Sequence, residues 1–238
     1  MFIAWNAIAF ENKEFLRDEN GIFIPRNEFL ESIHSALIFY LIKKDKALEN
    51  SVKKHILSLD TKAKLLELAK DIKEQVFQKH PIEINLDEKI YLPSQGVKKR
   101  VIKRFDFQSK DFVEEFEVEV FKGVVEDFTI ETSHEQLLKN ALLSYAKALA
   151  EMEHKALKDT PLEKAIIEVQ NLIANEWQNS LRLGRWTSAI HKGDLLFFWR
   201  VKELREKLLK EFHIDIRPQD TFYIPSDKTL VGWSEIVF

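Results

Sequence analysis

The sequence predicts an α+β protein in which short strands alternate with amphipathic helices. Both chain ends, MFIAWNAIAF and TLVGWSEIVF, are rich in the β-branched and aromatic residues that favour strands. Residues 82–86 and 112–131 alternate apolar with polar or charged side chains, the period of a half-buried strand. Between these stretches, apolar residues recur every three or four positions, as at Leu138, Ala141, Leu142, Tyr145 and Leu149. A chain of 238 residues makes one large domain or two small interlocked ones, and buries a substantial core.

Taken in order, the opening strand meets no basic residue before Lys13, so it reads as a strand and not as a secretory leader. Asn20-Gly21 marks a turn, and residues 22–25 are a short strand stopped by Pro25. Asn27 reads as the N-cap of a helix over about 28–44, with Leu30, Ile33, Leu37 and Leu41 inward. His34 lies beside that stripe and, as a lone helical histidine, reads as structural. Two further helices are expected over about 47–59 and 62–79. After the strands near 82–86 and 89–93 comes SQGVKKRVIKR. There Val97, Arg100, Val101 and Arg104 recur at helical spacing, so a short basic helix begun at a Ser-Gln-Gly turn is one reading. Glu115, Glu117 and Glu119 share one side of the next strand and read as its wet face. Ser133 with Gln136, and Thr160-Pro161 with Glu163, open two more helices as capping boxes. A last helix, capped by Asp194, places Phe197, Val201, Leu204, Leu208 and Phe212 inward, and a strand kinked at a glycine closes the chain.

Charge points to function more than composition does. The net charge is −3, but residues 94–104 carry five positive charges and residues 181–193 carry three, with no acid in either stretch. The rest of the chain therefore sums to −11. Two cationic loops on an acidic body suit a polyanion on one side and other surfaces on the other. LRLGRWTSAIHKG, residues 181–193, sets Arg182, Arg185, His191 and Lys192 around a glycine and a Thr-Ser pair, a composition suited to phosphates. Glycine-rich nucleotide loops, a serine-hydrolase elbow and a zinc-protease motif are all absent. Without cysteine there is no thiol nucleophile, disulfide framework or thiolate zinc site, a composition that fits the cytosol. No apolar run nears the roughly 18 residues a membrane helix needs. The enzymatic possibility that survives is metal-independent RNA cleavage with His34 or His191 as acid or base.

Four stretches, in order, resemble the RAMP superfamily of CRISPR-associated RNA-binding proteins, and more narrowly the subunits that cap the crRNA 3′ end in type III-A (Csm) effectors. IYLPSQGVKKRV, residues 90–101, resembles that family's strand, Pro–Gly–Ser-rich turn and basic helix lying against crRNA. VFKGVVED, residues 120–127, resembles a strand motif ending in an acid; LRLGRWTS, residues 181–188, resembles the arginine–glycine loop; LVGW, residues 230–233, resembles the C-terminal Gly-Trp strand. The family's N-terminal glycine motif is missing, and Pro-Ser-Gln-Gly stands where Pro-Gly-Ser-Ser is expected.

The resemblance implies an α+β fold of RRM-like (ferredoxin-like) tandem lobes with helical insertions. Residues 1–238 would form a single RAMP module with approximate lobes 1–131 and 132–238. It also implies a non-catalytic subunit that holds crRNA, without metal or cofactor, among other type III effector subunits in the cytoplasm. Ser94, Gln95, Lys98, Lys99, Arg100, Lys103 and Arg104 would contact the guide. Arg182 and Arg185 would clamp phosphates beside Gly184, Thr187, Ser188, His191 and Lys192. Because the aromatic signature of ordinary RRMs is absent, base stacking on a sheet is not expected to dominate. The alternatives are a crRNA-processing endoribonuclease of the same superfamily using His34, and a protein-interaction module.

Overall fold

The computed structural model describes residues 1–8, 13–61, 63–183, 195–214 and 219–238. At its centre are four strands: β1 (Phe2–Ile8), β5 (Val97–Asp106), β6 (Asp111–Val125) and β10 (Trp233–Ile236). They lie in the order β10-β1-β6-β5, each antiparallel to its neighbour. Helices α1 (Arg26–Lys44) and α4 (Glu135–Leu157) supply the two crossovers, giving the β-α-β-β-α-β path of a ferredoxin-like fold. Further strands widen the same sheet: β7 (Ser180–Arg182) beside β10, then β8 (Asp220–Ile224) and β9 (Thr229–Leu230) beyond β5. This one sheet draws on both sides of residue 131: β1, β6 and β5 lie together at its middle, flanked by β7 and β10 on one side and by β8 and β9 on the other.

The side-chain period of β1 decides which face is covered. Phe2 and Ala4 are buried with Phe121 and Val125 of β6 and with the inward side chains of α1 and α4. Phe2 meets Phe29 of α1 edge-on, at 5.0 Å between ring centroids. Helix α1 is apolar almost all round, burying Phe29, Ile33, Ala36, Leu37, Ile38 and Ile42, because several elements surround it. These are α4, α2 (Lys46–Ser58), α3 (Ala63–Lys79) and the sheet. The opposite face carries its own small cluster of Ile102, Val118, Val120, Phe222, Ile224 and Val231. Helix α5 (Glu163–Asn175) packs on α4, and a second sheet of β2 (Leu16–Asp18), β3 (Gly21–Pro25) and β4 (Lys89–Leu92) is inserted beside the core.

Several local expectations are corrected. The basic segment after Ser94–Gly96, a single 3-10 turn, is strand β5 and not a helix. Pairing with the glutamate-rich β6 over ten positions outweighs the weak helical spacing of its apolar residues. Pro25, not Asn27, is the residue before α1, and α4 starts at Glu135 after His134. Asp45 caps α2 through its carboxylate, accepting from the N–H groups of Ala47 and Leu48. The last helix is two, α6 (Leu195–Arg200) and α7 (Lys202–Phe212), broken at Val201. The closing strand also divides. Gly232, at φ 97°, lets the chain leave β9 and enter β10 between β7 and β1. The expected cap Asp194 lies outside the described residues.

Candidate nucleic-acid interface

The turn that leads into β5 is shaped by a close approach. Gly96 donates its N–H to Pro93 O at 2.9 Å. A Cβ on Gly96 would stand 2.5 Å from a ring carbon of Phe121, so only glycine lets the turn lie against β6. Ser94 and Gln95 are exposed at its tip.

Because β5 is a strand, its cations separate onto two faces. Lys99 and Lys103 project toward the helix side, opposite Glu119 and Glu115; Lys103 Nζ lies 3.1 Å from Glu115. Arg104 lies 3.4 Å from Glu114 and 3.9 Å from Asp220. Two of the five cations of β5, Lys103 and Arg104, thus pair with acids of β6, a strand that carries five in all: Asp111, Glu114, Glu115, Glu117 and Glu119. Much of the field expected from SQGVKKRVIKR is neutralised within the hairpin.

Glu119 departs from the expected wet face. It is buried, accepts from Phe15 N–H at 3.0 Å, and takes the Arg17 guanidinium in two bonds at 2.5 and 2.7 Å. Burial works to raise its carboxyl, but Arg17 and the Phe15 N–H outweigh burial and hold it below the usual range.

Three further cations lie on the face away from the helices. Lys98 is exposed there, with no carboxylate within 4 Å among the described residues. Arg100 and Lys122 share one acid, Asp227, at 3.8 and 3.9 Å. Lys122, on β6, belongs to this group although its position inside an apolar run concealed it. The sheet register is the signal that brings it there: Val97 pairs with Phe121, and Lys98 with Val120.

Arg182 does not clamp phosphate. It lies on β7 with its side chain 1% exposed, in an ion pair with Glu153 of α4, itself 0% exposed. It also donates to Val231 O and to Thr221 Oγ1, both at 3.0 Å, and its guanidinium lies over the Trp233 ring. Ser32 of α1 donates to Arg182 O at 3.0 Å, so this arginine ties sheet and helices together. Gly184, Arg185, Thr187, Ser188, His191 and Lys192 lie outside the described residues.

His34 is half-buried and meets the Phe77 ring at 5.1 Å. Burial, helped by Lys73, pushes its pKa down to about 4, so the imidazole is neutral near pH 7. Among the described residues no group of three or more His, Cys, Asp or Glu is placed to hold a metal ion, and no helix is long and apolar enough to cross a membrane.

No protein-family model matches the chain. A protein chain in the cryo-EM structure of a Csm–crRNA–target RNA ternary complex of a type III-A CRISPR-Cas system has a similar fold. The TM-score is 0.60 over 99% of this chain and 79% of that one, at 11% identity. In sequence, the chain is 37% identical over 239 residues to an uncharacterized protein of Aquifex aeolicus (strain VF5), covering 98% of this chain and 97% of that protein. The chain therefore belongs to the family of that Aquifex aeolicus protein and has an α+β, ferredoxin-like fold.

Proposed function

We propose that this chain is a non-catalytic, guide-RNA-binding subunit of a type III CRISPR effector, placed at the 3′ end of the crRNA where it caps the complex. The observation that carries the reading is the likeness of fold, over nearly the whole chain, to a protein of a Csm–crRNA–target RNA complex. The ordered motifs at 90–101, 120–127, 181–188 and 230–233 support it independently. So does the uneven charge. Lys98, Arg100 and Lys122 cluster on one sheet face beside the exposed Ser94–Gln95 turn, while the acidic remainder suits protein partners in the effector. These groups bind backbone phosphate without reading sequence, as a protein that accepts many guides requires.

The test is binding of a single-stranded RNA with a repeat-derived 3′ end, followed by fluorescence anisotropy from low to moderate salt. Wild type should bind with an affinity that falls as salt rises. Lys98→Ala/Lys122→Ala should weaken binding and flatten the salt slope by about 0.7 for each phosphate that is no longer neutralised. Absence of binding by wild type, or metal-free cleavage of the RNA that His34→Ala abolishes, would sink the proposal.

A further inference from the structure

We propose that the sheet face opposite the helices is a base-stacking subsite, where a nucleobase of single-stranded RNA lies against Trp5 and its adjoining phosphates meet Lys122 and Lys98. The inference rests on the RNA-binding function proposed above and adds a contact of a different kind. It also departs from the expectation that stacking on a sheet plays little part.

The placement follows from strand geometry. On β1, Phe2 and Ala4 point into the core, so Ile3 and Trp5 point the other way. Register agrees: Ile3 pairs with Glu235 on one side and Val124 on the other, and Glu235 Oε2 accepts the Trp5 indole N–H at 3.2 Å. Trp5 is 39% exposed although it sits on the central strand β1. One face of its ring lies on Trp177, at 5.6 Å and 13° between planes. With that face and the N–H edge occupied, the exposure falls on the opposite ring face and the far edge. The indole is thus held at a fixed angle with a flat apolar surface presented outward, which any base can stack on.

Cations stand on the same face. Ala4 pairs with Gly123, the register then shifts before Ile8 meets Phe121, and Lys122 lies on β6 just past Gly123, on the side that carries Val124. Lys98 pairs with Val120, one step along the same side of β6, and Arg100 follows it. Asp227 draws on Arg100 and Lys122 from 3.8 and 3.9 Å, while Lys98 has no carboxylate within 4 Å among the described residues. An aromatic plane next to cations of net positive charge is the combination that single-stranded nucleic acid needs: stacking for the base, point charges for the backbone. Val124, 40% exposed on the same side, extends the apolar floor next to Trp5.

The experiment uses the full-length protein and two fluorescein-labelled RNAs of equal length, a uridine 12-mer and the same strand with abasic positions. Wild type should prefer the intact strand by about 5- to 100-fold, and binding should quench part of its tryptophan emission. Trp5→Ala should lose that preference and keep the salt slope, because stacking releases no counterions. Trp5→Phe should keep most of the preference and lose most of the quenching. Lys122→Ala should do the reverse of Trp5→Ala, flattening the slope while keeping the preference. A thermal midpoint for each variant separates lost binding from lost folding, and Trp5→Phe, which keeps an aromatic ring on Trp177, serves if Trp5→Ala unfolds. If wild type binds RNA but treats both strands alike, or Trp5→Ala keeps the preference, the subsite is refuted and the RNA-binding function stands. If wild type binds neither strand, both proposals fall.

Discussion

Replacing Arg182 with alanine should damage the fold and not merely an RNA contact. The guanidinium is 1% exposed and its partner Glu153 is 0% exposed, so truncation strands a carboxylate where water does not reach. Breaking one side of such a buried pair costs about 3–5 kcal/mol. Val231 O and Thr221 Oγ1 lose their donor as well, which places the cost toward the upper end of that range. Domains of this kind are stable by about 5–15 kcal/mol, so Arg182→Ala removes a large share of the total. Removing both charges at once, as in Arg182→Met/Glu153→Leu, should recover most of the loss, because the stranded carboxylate is gone. The assay is urea denaturation followed by circular dichroism, for wild type, both single variants and the double variant. A loss below about 1 kcal/mol for Arg182→Ala, with weakened RNA binding, would refute the structural role and restore the phosphate clamp.

Other expectations are equally direct. His34 has a folded pKa of about 4 against about 6.5 unfolded, so the unfolded chain takes up its proton first as pH falls. Its contribution is complete above about pH 6.5 and is lost between there and pH 4. Urea denaturation at pH 7.5 and 5 should therefore show a drop that His34→Gln reduces by about 2 kcal/mol; equal drops would contradict the burial of this imidazole. Below pH 4 a second loss should begin, because Asp18 and Asp45, bonded to Lys89 and Lys79, have pKa values lowered to about 2. Gly96→Ala should cost about 1–3 kcal/mol, since its Cβ meets Phe121 at 2.5 Å and Lys122 O at 3.1 Å. A neutral Gly96→Ala in a thermal melt would show that the turn is free to move away from β6.

The fold class was legible because the periods were clean. The alternation that begins at residue 112 is β6, although that strand ends at Val125 and not at 131, and the stripes through Leu37 and Leu142 are α1 and α4. The strand order was not legible, because β10 takes its place between β7 and β1 through pairing across almost the whole chain. Residues 97–104 misled for a related reason: their helical spacing is a local signal, whereas the β6 glutamates that decide the matter are a partner strand's property. The same holds for Arg182. In a run with glycine, hydroxyls and more cations it has the chemistry of a phosphate ligand. What makes it structural is Glu153, a glutamate that an amphipathic helix pattern gives no reason to place inside. Trp5 and Lys122 escaped because each looks ordinary within its own strand, and only the pairing of β1 with β6 brings them to one face of the sheet.

The central claim concerns guide RNA, and it is tested most directly by what the protein carries in its own cell. A tagged copy, purified from its source at low salt, should bring down other effector subunits and small RNAs. Sequencing those RNAs should reveal variable spacers joined to a shared repeat-derived sequence, and Lys98→Ala/Lys122→Ala should retain fewer of them. Recovery of no RNA, or of fragments drawn evenly from all transcripts, would contradict the account.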